Sequence, residues 1–143
     1  MKWVLSAIAA LALPSNAIAG PIWEKYPQLI CRAGATFFCS DGKSGCDRDE
    51  AKWVIQINFS SNSYKYTSSA RTGKILNKIY TPYAYDPGAD GNVILLDGGT
   101  LVTFLKPRAA SEPYLAPEIP AVAQSAPVGS VADTFMSCHP AGL

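Results

Sequence analysis

Cys31, Cys39 and Cys46 fall within one short stretch, CRAGATFFCSDGKSGC, and the fourth cysteine, Cys138, lies near the other end of the chain. Thiols in such a group can hold a metal, exchange electrons or cross-link the polypeptide. The first two chemistries depend on close pairs, because two sulfurs must converge on one ion or on each other within a single turn. Here seven and six residues separate the neighbours, and no C-x-x-C pair exists. The lone histidine, His139, is the only imidazole that could complete a metal site. No metal and no cofactor is therefore expected.

An even number of cysteines in an exported chain predicts two disulfides, with three possible connectivities. The favoured one joins Cys39 to Cys46 and Cys31 to Cys138, since Ser40-Asp41-Gly42-Lys43-Ser44-Gly45 is rich in turn formers. On the chain-entropy account, a loop of about 100 residues closed by Cys31–Cys138 contributes some 4–5 kcal/mol, against roughly 2–3 for the short loop.

Other chemistries leave fainter traces. Gly42-Lys43-Ser44 copies the end of a phosphate-binding loop, but Phe37 stands where the first glycine belongs and no strand-loop-helix setting surrounds it. Asp86 to Asp97 partly copies a calcium loop, with carboxylates at places one and five and glycine at six. Gly88 at place three and Asp97 at place twelve depart from the pattern, and a polar loop is the expectation.

No G-x-S-x-G elbow is present, and one histidine excludes two-histidine nucleases and tri-histidine metal centres. His139 is expected as an exposed polar residue rather than a general base. Asp41, Asp47, Asp49 and Glu50 cluster in sequence, with Glu112 and Glu118 further on, so paired carboxylates for glycoside cleavage stay open as a rival.

Between Glu50 and Asp86 the chain has no acid, yet it carries Lys52, Lys65, Arg71, Lys74 and Lys78 among Tyr64, Tyr66, Tyr80, Tyr83 and Tyr85. Cations beside aromatic faces suit a glycan, an acidic protein surface or single-stranded nucleic acid. Tyr64, Lys65, Tyr66, Arg71, Lys74, Lys78 and Tyr80 are the candidate ligand-binding set. The competing explanation is an ordinary solvated sheet face whose lysines guard edge strands.

These groups must be placed by a small domain. Met1 to Ala19 has the form of a secretory signal peptide: one Lys, an apolar run too short to span a bilayer, Pro14, and an Ala17-Ile18-Ala19 cleavage pattern. Residues 20–143 would then form one β-rich domain with no membrane span, secreted or periplasmic. Without Lys2 the 12 basic residues become 11, equal to the 11 acidic ones, so no overall charge steers the chain toward nucleic acid.

Alternation predicts a hairpin over 53–67 about Ser61-Asn62-Ser63, and a strand over 74–80. A second hairpin runs from Val93 to Leu105 about Asp97-Gly98-Gly99, where glycine reaches the positive φ that tight turns require. Pro107, Pro113, Pro117, Pro120 and Pro127 predict an extended Pro/Ala-rich loop over 107–130. A last strand covers 131–136. Asn58-Phe59-Ser60 is a formal glycosylation sequon that falls in the predicted strand.

The fold expected is all-β: a small antiparallel barrel or sandwich of about six short strands, stapled by disulfides. The function expected is a non-catalytic binding or inhibitory module, its partner an extracytoplasmic protein or a glycan. The alternatives are a small secreted hydrolase using the 41–50 carboxylates and a structural envelope component.

Overall fold

The structure, a computed structural model, describes residues 20–40, 44–82, 91–108, 116–126 and 130–142. The signal-like segment 1–19, Asp41, Tyr83, Tyr85, positions 86–90 of the calcium-like loop and Glu112 lie outside the described residues. A single helical turn, α1 (Ile22–Lys25), precedes nine strands: β1 (Gln28–Ser40), β2 (Cys46–Glu50), β3 (Val54–Asn58), β4 (Ser63–Tyr66), β5 (Thr72–Thr81), β6 (Gly91–Leu96), β7 (Leu101–Phe104), β8 (Ile119–Ser125) and β9 (Ser130–Pro140).

From β3 onward each strand pairs antiparallel with the next, and β9 returns to pair with β1 from Leu29↔Pro140 to Ser40↔Ser130. The eight strands β1 and β3 to β9 form a closed up-and-down barrel. β2 runs collinear with β3 along the same edge of β1, so the β1–β2 hairpin projects beyond one rim. We call that rim the upper end.

Closure follows from the alternation. Inward positions carry Leu29, Cys31, Ile55, Ile57, Ile94, Val102, Phe104 and Ile119, all at most 1% exposed, and a period of two puts every second side chain on that face. Aromatic rings fill the middle, with Phe59 and Phe104 edge to face at 6.0 Å, opposite the small Ala121. Large and small residues alternate around a narrow barrel for this reason.

Cys31–Cys138 joins a directly opposed pair at the β1–β9 seam, both residues fully buried. Cys39–Cys46 joins another opposed pair across the projecting hairpin. On the unpaired side of β2 every residue is exposed and four of its five are charged, a composition that discourages pairing with another chain.

Three features differ from the sequence expectation. Among the described residues there are nine strands rather than about six: β1 and β2 lie in the cysteine-rich segment, whose glycines and charges mask the alternation. Part of the 107–130 loop, Ile119–Ser125, is strand β8, with Ile119, Ala121 and Ala123 buried. Pro120 fits because only its carbonyl is needed there, accepting the Leu105 N–H at 2.8 Å, and the ring takes an outward position opposite Ser137. Finally, bulges interrupt two pairings, at Gly34 between β1 and β9 and at Leu76 between β5 and β6. The second turns the rest of β5 over, so that Lys78 and Tyr80 share a face with Ile94 and Asn92 while Ile79 faces out.

Candidate functional site

The two ends of the barrel are finished differently. At the lower end α1 inserts Ile22, 5% exposed, and its backbone N–H donates to Asn92 Oδ1 at 2.8 Å. Trp23 adds its ring against Phe59 at 6.3 Å. Among the described residues no segment performs that service at the upper end.

Instead the inward side chains shrink toward the upper rim. Along the β8–β9 ladder the opposed pairs are Ile119↔Cys138, Ala121↔Met136, Ala123↔Thr134 and Ser125↔Ala132. Large apolar groups give way to small and hydroxyl-bearing ones. Beyond the Gly34 bulge, β1 contributes Thr36 and Phe38 to the same face. The result is a cup of about 260 Å³ in the barrel mouth.

One wall of the cup is aromatic. Trp53, in the break between β2 and β3, and Tyr66, at the end of β4, meet at 5.4 Å with their planes 76° apart. Phe38 stands at the rim, 40% exposed. The rest of the lining is largely hydroxylic: Thr36 and Thr134 share a buried hydrogen bond of 2.8 Å, and Thr100 and Ser125 join them. Ala123 and Ala132 leave the space between.

A hydrogen-bonded support lies behind Tyr66. Tyr64 packs edge-on against it at 5.6 Å and donates its hydroxyl to Asp97 Oδ1 at 2.6 Å, while Asp97 Oδ2 accepts the Lys74 N–H at 2.9 Å. Burial, and then the bond to Asp97, pushes the Tyr64 phenol up to about 12. That same hydroxyl, together with the Lys74 N–H, holds the Asp97 carboxyl below its ordinary value. Burial also raises the Tyr66 phenol. Both phenols are thus neutral donors throughout the physiological range. Gly73, opposite Tyr64, makes the arrangement possible, because a Cβ there would collide with the Tyr64 ring and the Asp97 carboxylate.

Comparison with known proteins finds no matching family, no matching curated protein and no matching solved structure. The chemistry of this cup must therefore be argued from its own residues.

The seven candidate ligand-binding residues do not share one face. Tyr66 lines the cup, Tyr64 is 4% exposed beneath it, and Arg71 stands at the rim close enough to act on both phenols and on Asp97. Lys65 and Lys74 are exposed on the barrel wall. Lys78 lies at the lower end, its Nζ donating to the Phe59 carbonyl at 3.5 Å, with Tyr80 half-buried above Asn92 on the same side. Strand alternation and the Leu76 bulge disperse what is contiguous in sequence.

The carboxylates behave similarly. Asp47, Asp49 and Glu50 are all exposed on β2, and Asp49 Oδ1 accepts the Glu50 N–H at 2.8 Å. Among the described residues, no acid lines the cup or a smaller lower cleft beside Leu29 and Ile57. On the outer wall Ser137 donates to Glu118 Oε1 at 2.9 Å and lies 3.3 Å from His139 Nε2. A nucleophilic serine needs its base between itself and the acid; here the serine hydroxyl donates directly to the carboxylate. Among the described residues no three His, Cys, Asp or Glu side chains converge as metal ligands would.

Trp53, Thr36, Thr134 and Asp97 are the site residues that sequence reasoning did not assign. Trp53 reads as one more apolar strand position, and the threonines become partners only through a separation of 98 residues.

Proposed function

We propose that the protein is an exported, non-catalytic binding module that takes its ligand into the barrel mouth. The observation that carries this is the contrast inside one barrel: the chain fills the lower end with its own Ile22, while the upper end keeps a cup with aromatic and hydroxyl walls. Barrel mouths are a common place for small ligands, which need an apolar surface and a few fixed polar groups. Export rests on the leader-like Met1 to Ala19 segment and on cysteines that are all cross-linked. No helix of the described residues is long and apolar enough to cross a membrane.

The test is amide-resolved NMR of the full-length processed chain against a mixed set of small neutral, cationic, anionic and aliphatic compounds. Shifts concentrated at Thr36, Trp53, Tyr66 and Thr134 support the proposal. Shifts confined to the outer wall, or none at all, defeat it.

A further inference from the structure

Resting on that assignment of the cup, we infer that its ligand is an uncharged pyranose sugar unit. Four observations converge. First, the described residues that line the cup are Phe38, Trp53, Tyr66 and hydroxyl-bearing or alanine side chains, with no charged group among them. Asp97 is bonded to the Tyr64 hydroxyl and the Lys74 N–H behind the aromatic wall, and Arg71, exposed at the rim, is not among the lining residues. A charged ligand would lose its water without gaining a counter-ion.

Second, a purely aliphatic ligand is equally ill suited, because it would cover the hydroxyl wall. Each threonine hydroxyl offers one donor and two acceptor lone pairs, and the Thr36–Thr134 bond at 2.8 Å consumes one donor and one lone pair. One donor and three lone pairs remain, with those of Thr100 and Ser125 beside them. A ligand without hydroxyls would strand them.

Third, the aromatic wall is a corner rather than a slot, since Trp53 and Tyr66 stand 76° apart. A ring that presents C–H bonds on one face and hydroxyls on its edge can rest against one indole face and meet the phenol edge at the same time. A pyranose is such a ring. Fourth, the cup of about 260 Å³ is open to solvent on one side. That is room for one sugar ring, with the open mouth leaving its linkage free.

The experiment titrates the full-length processed chain with neutral hexoses and N-acetylhexosamines as methyl glycosides, following indole emission and amide shifts. Binding in the millimolar range at Trp53 and Thr134 is expected, with Trp23 at the opposite end unmoved. Thr36→Val with Thr134→Val removes both hydroxyls together and leaves neither unpaired, so the fold should persist while affinity drops about tenfold. Trp53→Ala should abolish binding.

Oligosaccharides ending in the same unit identify the source. Equal or tighter binding assigns a glycan terminus, and binding of the monosaccharide alone assigns a free sugar. If alkyl alcohols, amines or uronates shift the cup residues and neutral sugars do not, the mouth is a binding site but the sugar assignment is overturned. If nothing shifts them, both assignments fall.

Discussion

The lower and upper ends of this barrel are made by the same strands and finished in opposite ways. Below, an apolar side chain of α1 enters the core and its N–H satisfies the buried Asn92 amide. Above, threonines occupy inward positions and satisfy each other in part, with the remaining capacity facing a space. A buried polar group left unpaired costs about 1–3 kcal/mol, so hydroxyls at an unplugged end have value only if water or a ligand reaches them. Among the described residues the lower end is closed by the chain itself, and the upper end is left to water or, on the binding proposal, to a ligand.

The two disulfides provide the hardest test of that contrast. Cys31–Cys138 closes a separation of 107 residues through the body, and Cys39–Cys46 closes only 7 in the upper hairpin. Replacing the first pair by alanine should cost about 4–5 kcal/mol, and the second about 2–3. Urea unfolding without reductant measures both. If the short bridge costs as much as the long one, the hairpin is part of the core and the division between body and mouth is wrong.

Next in size is Ile22→Ala, which empties the lower plug. A buried isoleucine reduced to alanine loses about 2–5 kcal/mol, and the low end of that span is expected at a terminus able to settle. The same urea series checks it. Loss below about 1 kcal/mol would mean that α1 does not seal the barrel in solution.

Gly73→Ala tests the upper end. Its new Cβ meets the Tyr64 ring and the Asp97 carboxylate, and overpacking of this kind costs about 1–3 kcal/mol. Near-ultraviolet circular dichroism should report a displaced Tyr64–Tyr66–Trp53 ladder. An unchanged spectrum and midpoint would show that the aromatic wall is not held from behind.

What could be read from the chain in advance divides along similar lines. The 54–58 strand, the Asp97-Gly98-Gly99 turn and the return strand to Cys138 are legible because local alternation and turn chemistry coincide there. β8 is not, since Pro120 and its alanines look like a linker until Val102, Phe104 and Met136 are seen to need small partners. Nor is the inward turn of Lys78 and Tyr80, because a bulge of one residue at Leu76 reverses every later side chain and has no local signature. The cup is the least legible of all. Thr36, Trp53, Tyr66 and Thr134 come from four separate strands or their junctions, and only the register of a closed barrel brings them together.

The smallest expected effect, and the most specific to the mouth, belongs to Tyr64→Phe. Asp97 is exposed and keeps the Lys74 N–H, so at neutral pH the lost hydrogen bond should cost only about 1 kcal/mol. Its pH dependence is more telling. The folded Tyr64 phenol lies at about 12, above its ordinary 10.0, so the stability it contributes is complete below pH 10 and is lost as pH rises toward 12. Asp97 is lowered from 3.8, so its share is present above that value and lost as pH falls through the lowered one. The gap between wild type and variant in urea midpoint should therefore be widest across the neutral range and narrow at both extremes. On the acid side the Lys74 N–H contributes equally to both proteins, so only the share of the Tyr64 hydroxyl drops out of the gap. A gap that stays constant from pH 7 to 12 would mean the phenol is not bonded to Asp97 in solution, and the aromatic wall would then be free to fold inward and fill the cup that the lower end fills with Ile22.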